Sequence, residues 1–226
     1  MNRTKPRIFT SRTLKRYCRD LATIEPVFAQ IINRHGYPPM WRRDPSFETL
    51  ARIILEQQVS LASAQTTFTR LIQRLGSITP KVIQKANDDV LRGCGVSRQK
   101  ARYLRELASA VQSKTLVLEE LPLMPDDEVR QSLTAVIGIG HWSASVYLML
   151  ALNRTDLFPL GDVALVNSML HEFALEPVSD NKRTLPTPKV VAELEARVQQ
   201  WSPNRTIAAY MLWHAYIQRK GITVFA

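Results

Sequence analysis

The chain contains only two cysteines, Cys18 and Cys94. Neither belongs to a C-x-x-C pair, so cysteine alone cannot build a zinc or an iron–sulfur site. Such sparse usage suits a reducing cytosol. No run of about 18 apolar residues occurs, so no transmembrane helix and no membrane partner are expected. The basic N-terminus lacks a continuous apolar segment behind it, so no secretory signal is indicated. Acidic residues are in deficit, 20 Asp and Glu against 30 Lys and Arg, for a formal net charge of +10. A fold gains nothing from such an excess, which points to a polyanionic partner, most simply nucleic acid. A basic protein without such a partner would have the same composition. Strand patterns, internal repeats and low-complexity tracts are also missing.

What is present is helical periodicity nearly throughout, in a chain of 226 residues that is 45% hydrophobic. That is enough for one large domain or two small lobes, all-α in class. Ser11 to about His35 reads as one or two helices, interrupted near Glu25-Pro26 and ended by Gly36. Phe47 to Gln57 carries apolar residues on one helical face. Ser60 and Ser97 are placed to cap two further helices, and Thr79-Pro80 opens another. Pro125-Asp126-Asp127-Glu128 is an acidic helix start, favourable to the dipole. Trp142 to Leu152 is apolar on most faces and reads as a buried helix. Val163 to Ala174, Val190 to Trp201 and Thr206 to Lys220 follow as helices, with a polar loop from Ser179 to Pro188.

Two elements carry chemistry. In Gly138-Ile139-Gly140 a short turn joins two helical runs. Glycine admits positive φ and a close backbone approach, and the N–H groups opening the next helix can face an anion such as a phosphodiester. The plain alternative is an ordinary helix cap. The second element is Asp162, a lone carboxylate in the apolar segment from Leu157 to Leu165. It suits a catalytic acid, and it equally suits the N-cap of the following helix.

Taken together, Leu133-x-x-x-Ile137-Gly-Ile-Gly-x-Trp142-Ser-Ala144, Asp162, Trp201-Ser-Pro-x-Arg205, Ile54-Leu-x-Gln57-Gln58-Val-Ser60 and Val96-x-x-x-Lys100-Ala101 resemble the helix-hairpin-helix DNA glycosylases. The nearest branch is the 3-methyladenine, or alkylpurine, glycosylases. The match runs from roughly residue 45 to 220.

The resemblance implies a two-lobed, all-helical glycosylase fold with its active site in the cleft between lobes. Residues 1–44 plus 146–226 would form the terminal lobe. Residues 45–145 would form the central lobe, ending in the helix-hairpin-helix at about 125–150. It implies a monofunctional enzyme that flips alkylated purines such as 3-methyladenine and 7-methylguanine out of duplex DNA and hydrolyses the N-glycosidic bond. Asp162 takes the catalytic position, stabilising an oxocarbenium-like sugar and orienting or deprotonating water. Trp142 stands where strand-cleaving relatives carry a Schiff-base lysine, and none lies nearby.

Trp142 and Trp213 match aromatic pocket positions, where stacking repays part of the cost of base flipping. Val146 replaces a tyrosine of the family pocket, and Tyr147 joins the pocket set, with Tyr210 and Tyr216 as further candidates. Core packing is the plain alternative for each aromatic. Gln57 and Gln58 fall at the minor-groove wedge, although an amide intercalates less well than leucine; an exposed polar helix end is the alternative. Gly138, Ile139, Gly140, His141, Ser143 and Lys100 are expected at DNA phosphates, and Arg205 in a structural pair. The hairpin is expected to hold a monovalent cation, Na+ or K+, on backbone carbonyls near Ala135, Gly138 and Gly140. The partner implied is double-stranded DNA containing damaged bases, bound by a monomer. The location implied is the cytoplasm and nucleoid of a bacterium or the nucleus of a eukaryote. A glycosylase for oxidised, deaminated or mismatched bases, or a non-catalytic helix-hairpin-helix DNA-binding module, remains open at this point.

Overall fold

A computed structural model describes residues 6–175 and 188–223 of the chain. Twelve α-helices account for most of these: α1 (Ser11–Ile24), α2 (Pro26–His35), α3 (Phe47–Glu56), α4 (Leu61–Leu75), α5 (Pro80–Lys85), α6 (Asp88–Gly93), α7 (Arg98–Gln112), α8 (Asp126–Thr134), α9 (His141–Leu150), α10 (Val163–Glu172), α11 (Pro188–Gln200) and α12 (Arg205–Lys220). Among the described residues the only β pairing is one isolated bridge between Ile8 and Arg154. No helix there is long and apolar enough to cross a membrane.

Local chemistry sets the boundaries. The hydroxyls of Ser46, Ser60, Thr79 and Ser97 each accept a backbone N–H at the third helical position of α3, α4, α5 and α7. That satisfies donors the helix itself cannot. Pro26 separates α1 from α2 by opening the second helix at a position where no amide is needed. α6 was not foreseen; its cap at Asn87 and first-turn Asp88 and Asp89 were the available signal. The loop expected at Ser179 to Pro188 lies outside the described residues, except that Pro188 begins α11.

The chain forms two compact units. One is built on Arg42–Leu152 and the other on Arg7–Trp41 with Asn153–Thr223. The expected boundary after residue 145 would cut through α9. The division instead falls after Leu152, because α9 packs on α3 and α8 and stays whole with them.

In the first unit α3 is central, touching α4, α7 and α9. Leu50, Ala51, Ile53, Ile54 and Leu55 are all buried, each large side chain contributing about 1.5–3 kcal/mol of burial. Its C-terminal end is tied down twice. Glu56 receives both terminal nitrogens of Arg43, at 2.9 and 2.7 Å. Lys100 donates from Nζ to the Leu55 carbonyl at 2.7 Å.

In the second unit α12 packs on α1, α2 and α10. Trp201 is buried among Phe28, Phe158 and Phe173, so it anchors the core. Arg205 grips Asp156 through Nε (2.7 Å) and a terminal nitrogen (3.0 Å), the structural pairing expected of it.

Candidate functional site

The turn after α8 closes when the Ile139 N–H donates to the Val136 carbonyl at 3.0 Å. Gly138 sits at the third position of this turn with φ +96°, where only glycine is unstrained. Close packing adds a second reason for glycine. A Cβ on Gly138 would lie 2.2 Å from Cγ of Tyr103, on α7. Gly140 then caps α9 without offering a side-chain acceptor. His141 opens the first turn of α9 and is exposed.

Gln57, the C-cap residue of α3, also reaches this turn. Its Nε2 donates to the Gly138 carbonyl and to Ser143 Oγ, both at 2.9 Å. This corrects three expectations. Gln57 is turned into the protein against the hairpin, so it is not a free wedge. Ser143 is buried and accepts from Gln57, so it does not present its hydroxyl to a phosphate. Ile139 has its side chain in the core and its N–H spent on the turn.

Gln58 follows with φ +57°, a left-handed conformation in an exposed turn. The apolar side chains of Val59 and Leu61 flank it and are also exposed. Of the two glutamines, Gln58 alone remains available to enter a groove.

Lys100 also moves from its expected role. Its ammonium caps the C-terminal end of α3, a favourable place for a cation. Burial pulls its pKa below the usual lysine range. Two of the carbonyls expected at a monovalent cation each already accept one hydrogen bond. The Gly138 oxygen already accepts from Gln57, and the Gly140 oxygen accepts from the Ala144 N–H at 3.0 Å. Among the described residues no group of three His, Cys, Asp or Glu side chains is arranged for a metal.

The second unit holds Asp162. Its N–H donates to the Pro159 carbonyl at 2.8 Å and its own carbonyl accepts from Val166 at 3.0 Å. The side chain caps α10, with Oδ1 accepting from the Leu165 N–H at 3.0 Å. The same oxygen accepts from Trp213 Nε1 at 3.2 Å. Trp213 reaches it because α12 lies along α10, in a register pinned by Ser168 Oγ donating to the Leu212 carbonyl at 2.7 Å. The carboxylate is thus fixed by its own backbone, by a helix N-terminus and by an indole. The capping role and a catalytic role are compatible, because two donors orient one oxygen.

Trp41 belongs to this site, although no motif or spacing points to it. It sits in Pro38-Pro39-Met40-Trp41, and its ring centroid lies 6.4 Å from that of Trp213. Tyr210 donates from its hydroxyl to the Trp41 carbonyl at 3.0 Å. Tyr210 is itself fully buried and braces the cluster, so it offers no face to a base.

Trp142, at the start of α9, is half-buried. Val146 and Tyr147 are buried, Tyr147 completely. Burial, with a smaller contribution from the charge of Glu119, pushes the Tyr147 phenol above its ordinary range. These two residues pack the core and leave no ring face for stacking. Tyr216 is half-buried, its ring covered by the guanidinium of Arg219 at 5.6 Å.

The family described as the HhH-GPD superfamily of base excision DNA repair proteins matches residues 51–194. A Bacillus subtilis (strain 168) protein, provisionally named a DNA-3-methyladenine glycosylase, is 28% identical over 193 residues, 82% of this chain. The aligned segment spans 64% of that relative's own length. DNA-3-methyladenine glycosylase 1 of Schizosaccharomyces pombe is 29% identical over 178 residues, covering 77% of this chain and 73% of the relative. The solved structure of the 3-methyladenine DNA glycosylase of that yeast, in complex with abasic DNA, superposes with a TM-score of 0.75 at 25% identity. It covers 88% of this chain and 95% of the other.

Proposed function

The chain belongs to the HhH-GPD superfamily of base excision DNA repair proteins, and on that footing we propose that it is a monofunctional DNA glycosylase for alkylated purines. The observation that carries this reading is Asp162, an acid held in a defined orientation by Leu165 and Trp213. Two relatives named for 3-methyladenine support the substrate class.

The partner is duplex DNA, and the net charge of +10 favours it. The hairpin takes one phosphate on the first-turn amides of α9, with His141 beside them. Gln58 in its left-handed turn enters the minor groove and occupies the space the flipped nucleotide leaves. Trp213, which donates to Asp162, offers an aromatic face to a base that carries positive charge when alkylated at N3 or N7.

As the bond from C1′ to the base nitrogen breaks, its electron pair leaves with the base, which departs neutral. Positive charge develops on the sugar, and the Asp162 carboxylate stabilises it. Water then adds to C1′ and yields its proton to the carboxylate or solvent, leaving an abasic site. By the resemblance, Trp142 stands where strand-cleaving relatives carry a Schiff-base lysine, so the strand stays intact. No step passes through a cation on the hairpin carbonyls. The enzyme acts as a monomer, in the nucleoid of a bacterium or the nucleus of a eukaryote.

The test is release of 7-methylguanine from methylated duplex DNA, without strand cleavage. Release with concurrent strand scission would overturn the monofunctional assignment, and no release from alkylated DNA would overturn the substrate class.

A further inference from the structure

We propose that Gln57 is a positioning residue that couples the turn carrying Gln58 to the phosphate-gripping hairpin. This rests on the reading of that hairpin as a DNA contact.

Two adjacent residues of one turn face opposite ways. Gln58 is exposed with φ +57°, while the Gln57 side chain runs inward to the hairpin. Its single amide nitrogen has two protons, and both are used, one on the Gly138 carbonyl and one on Ser143 Oγ at 2.9 Å each. Those acceptors lie on the two sides of the turn's exit, in the hairpin and in the first turn of α9. One side chain therefore fixes the Gly138 peptide plane relative to α9, and with it the direction of the amides that follow.

The backbone of Gln57 ends α3, and the α3 end is itself immobilised by Arg43 and Lys100. Tyr103 also closes against Gly138. The hairpin is held by both an aromatic ring and an amide, and the amide belongs to the segment carrying the exposed Gln58-Val59 turn. Phosphate grip and groove insertion are thereby held in one register. The contribution of Gln57 is to the geometry of the bound complex, so it shows at saturating protein as well as in affinity.

The experiment uses the full chain and two variants, Gln57→Ala and Gln57→Glu. The second is nearly isosteric and places a carboxylate, which cannot donate, against the Gly138 carbonyl. Far-UV circular dichroism and thermal unfolding check folding. One duplex carries a tetrahydrofuran abasic analogue opposite 2-aminopurine, whose fluorescence reports unstacking at the insertion site. A second, methylated duplex gives the single-turnover rate of 7-methylguanine release at saturating enzyme. The expected result is loss of most of the fluorescence change in both variants, together with a fall in the saturating rate of about tenfold or more. A saturating rate and fluorescence change equal to wild type in a folded Gln57→Glu protein would overturn the proposal, even if affinity fell. Wild-type binding that does not weaken with salt would instead overturn the phosphate-hairpin reading on which it rests.

Discussion

Replacing Gly138 with alanine should cost stability at a level that can be worked from the geometry. The new Cβ would stand 2.2 Å from Tyr103 Cγ and 2.6 Å from its Cβ and Cδ1. Carbon atoms pack at about 3.5–4.0 Å, so the overlap is well over an ångström. Tyr103 Cβ is fixed to α7 and cannot swing aside without moving the helix. Overpacking of this kind costs about 1–3 kcal/mol. An alanine at φ +96° adds about 1–3 kcal/mol of backbone strain. The sum, about 2–6 kcal/mol, is a large part of a typical stability of about 5–15 kcal/mol. Urea denaturation reads this directly, and Tyr103→Ala separates the parts. In the double variant the overlap with Cγ and Cδ1 disappears, while the approach to Cβ at 2.6 Å and the backbone strain remain, so the two changes should be non-additive by about 1 kcal/mol or more. A Gly138→Ala protein within about 0.5 kcal/mol of wild type, or strict additivity with Tyr103→Ala, would refute the claim that ring and hairpin are in forced contact.

Trp213→Phe keeps an aromatic ring but removes the Nε1–H that orients Asp162. Single-turnover base release at saturation should fall about tenfold while affinity for undamaged duplex holds. Lys100→Met should lower stability by about 1 kcal/mol through loss of the α3 cap, yet leave the salt slope of DNA binding unchanged; a slope reduced by about one unit would return Lys100 to the phosphate contacts. Burial alone would raise the Asp156 carboxyl, but hydrogen bonds from Arg205 and Ser202 and the charge of Arg205 outweigh it and hold it below its ordinary value. A depressed pKa stabilises the fold above the unfolded value of about 3.9 and loses that contribution as pH falls through the folded value. Wild type should therefore lose more stability than Asp156→Asn on acidification below about pH 4, as followed by thermal unfolding.

The helices were legible because their signals are local. Ser60, Ser97 and Thr79-Pro80 cap or open the helices they were expected to, and Pro26 divides α1 from α2. The positive φ of Gly138 follows from its place between two helical runs. What the sequence hid was direction. Gln57 and Gln58 are adjacent and chemically identical, yet one braces the hairpin and the other faces solvent. That split depends on the left-handed backbone at Gln58 and on α9 lying beside α3. Lys100 reads as a phosphate contact because nothing local shows that the end of α3 lies within its reach. Tyr147 and Val146 continue a helix that is buried on almost every side, so their spacing from Trp142 could not tell pocket from core. Trp41 joins Trp213 through the packing of a proline-rich connection on α12, a contact across more than 170 positions that no periodicity announces.

The central claim is that Asp162, oriented by Leu165 and Trp213, performs hydrolysis of the bond to an alkylated purine. Purified wild type and Asp162→Asn should be incubated in parallel with methylated duplex DNA, and the released bases separated chromatographically. Asparagine retains the oxygen that caps α10, so the fold should survive the exchange. Free 3-methyladenine or 7-methylguanine from wild type, with none from a folded variant that still binds DNA, is the predicted result. Equal release by both proteins would remove Asp162 from the chemistry and contradict the account.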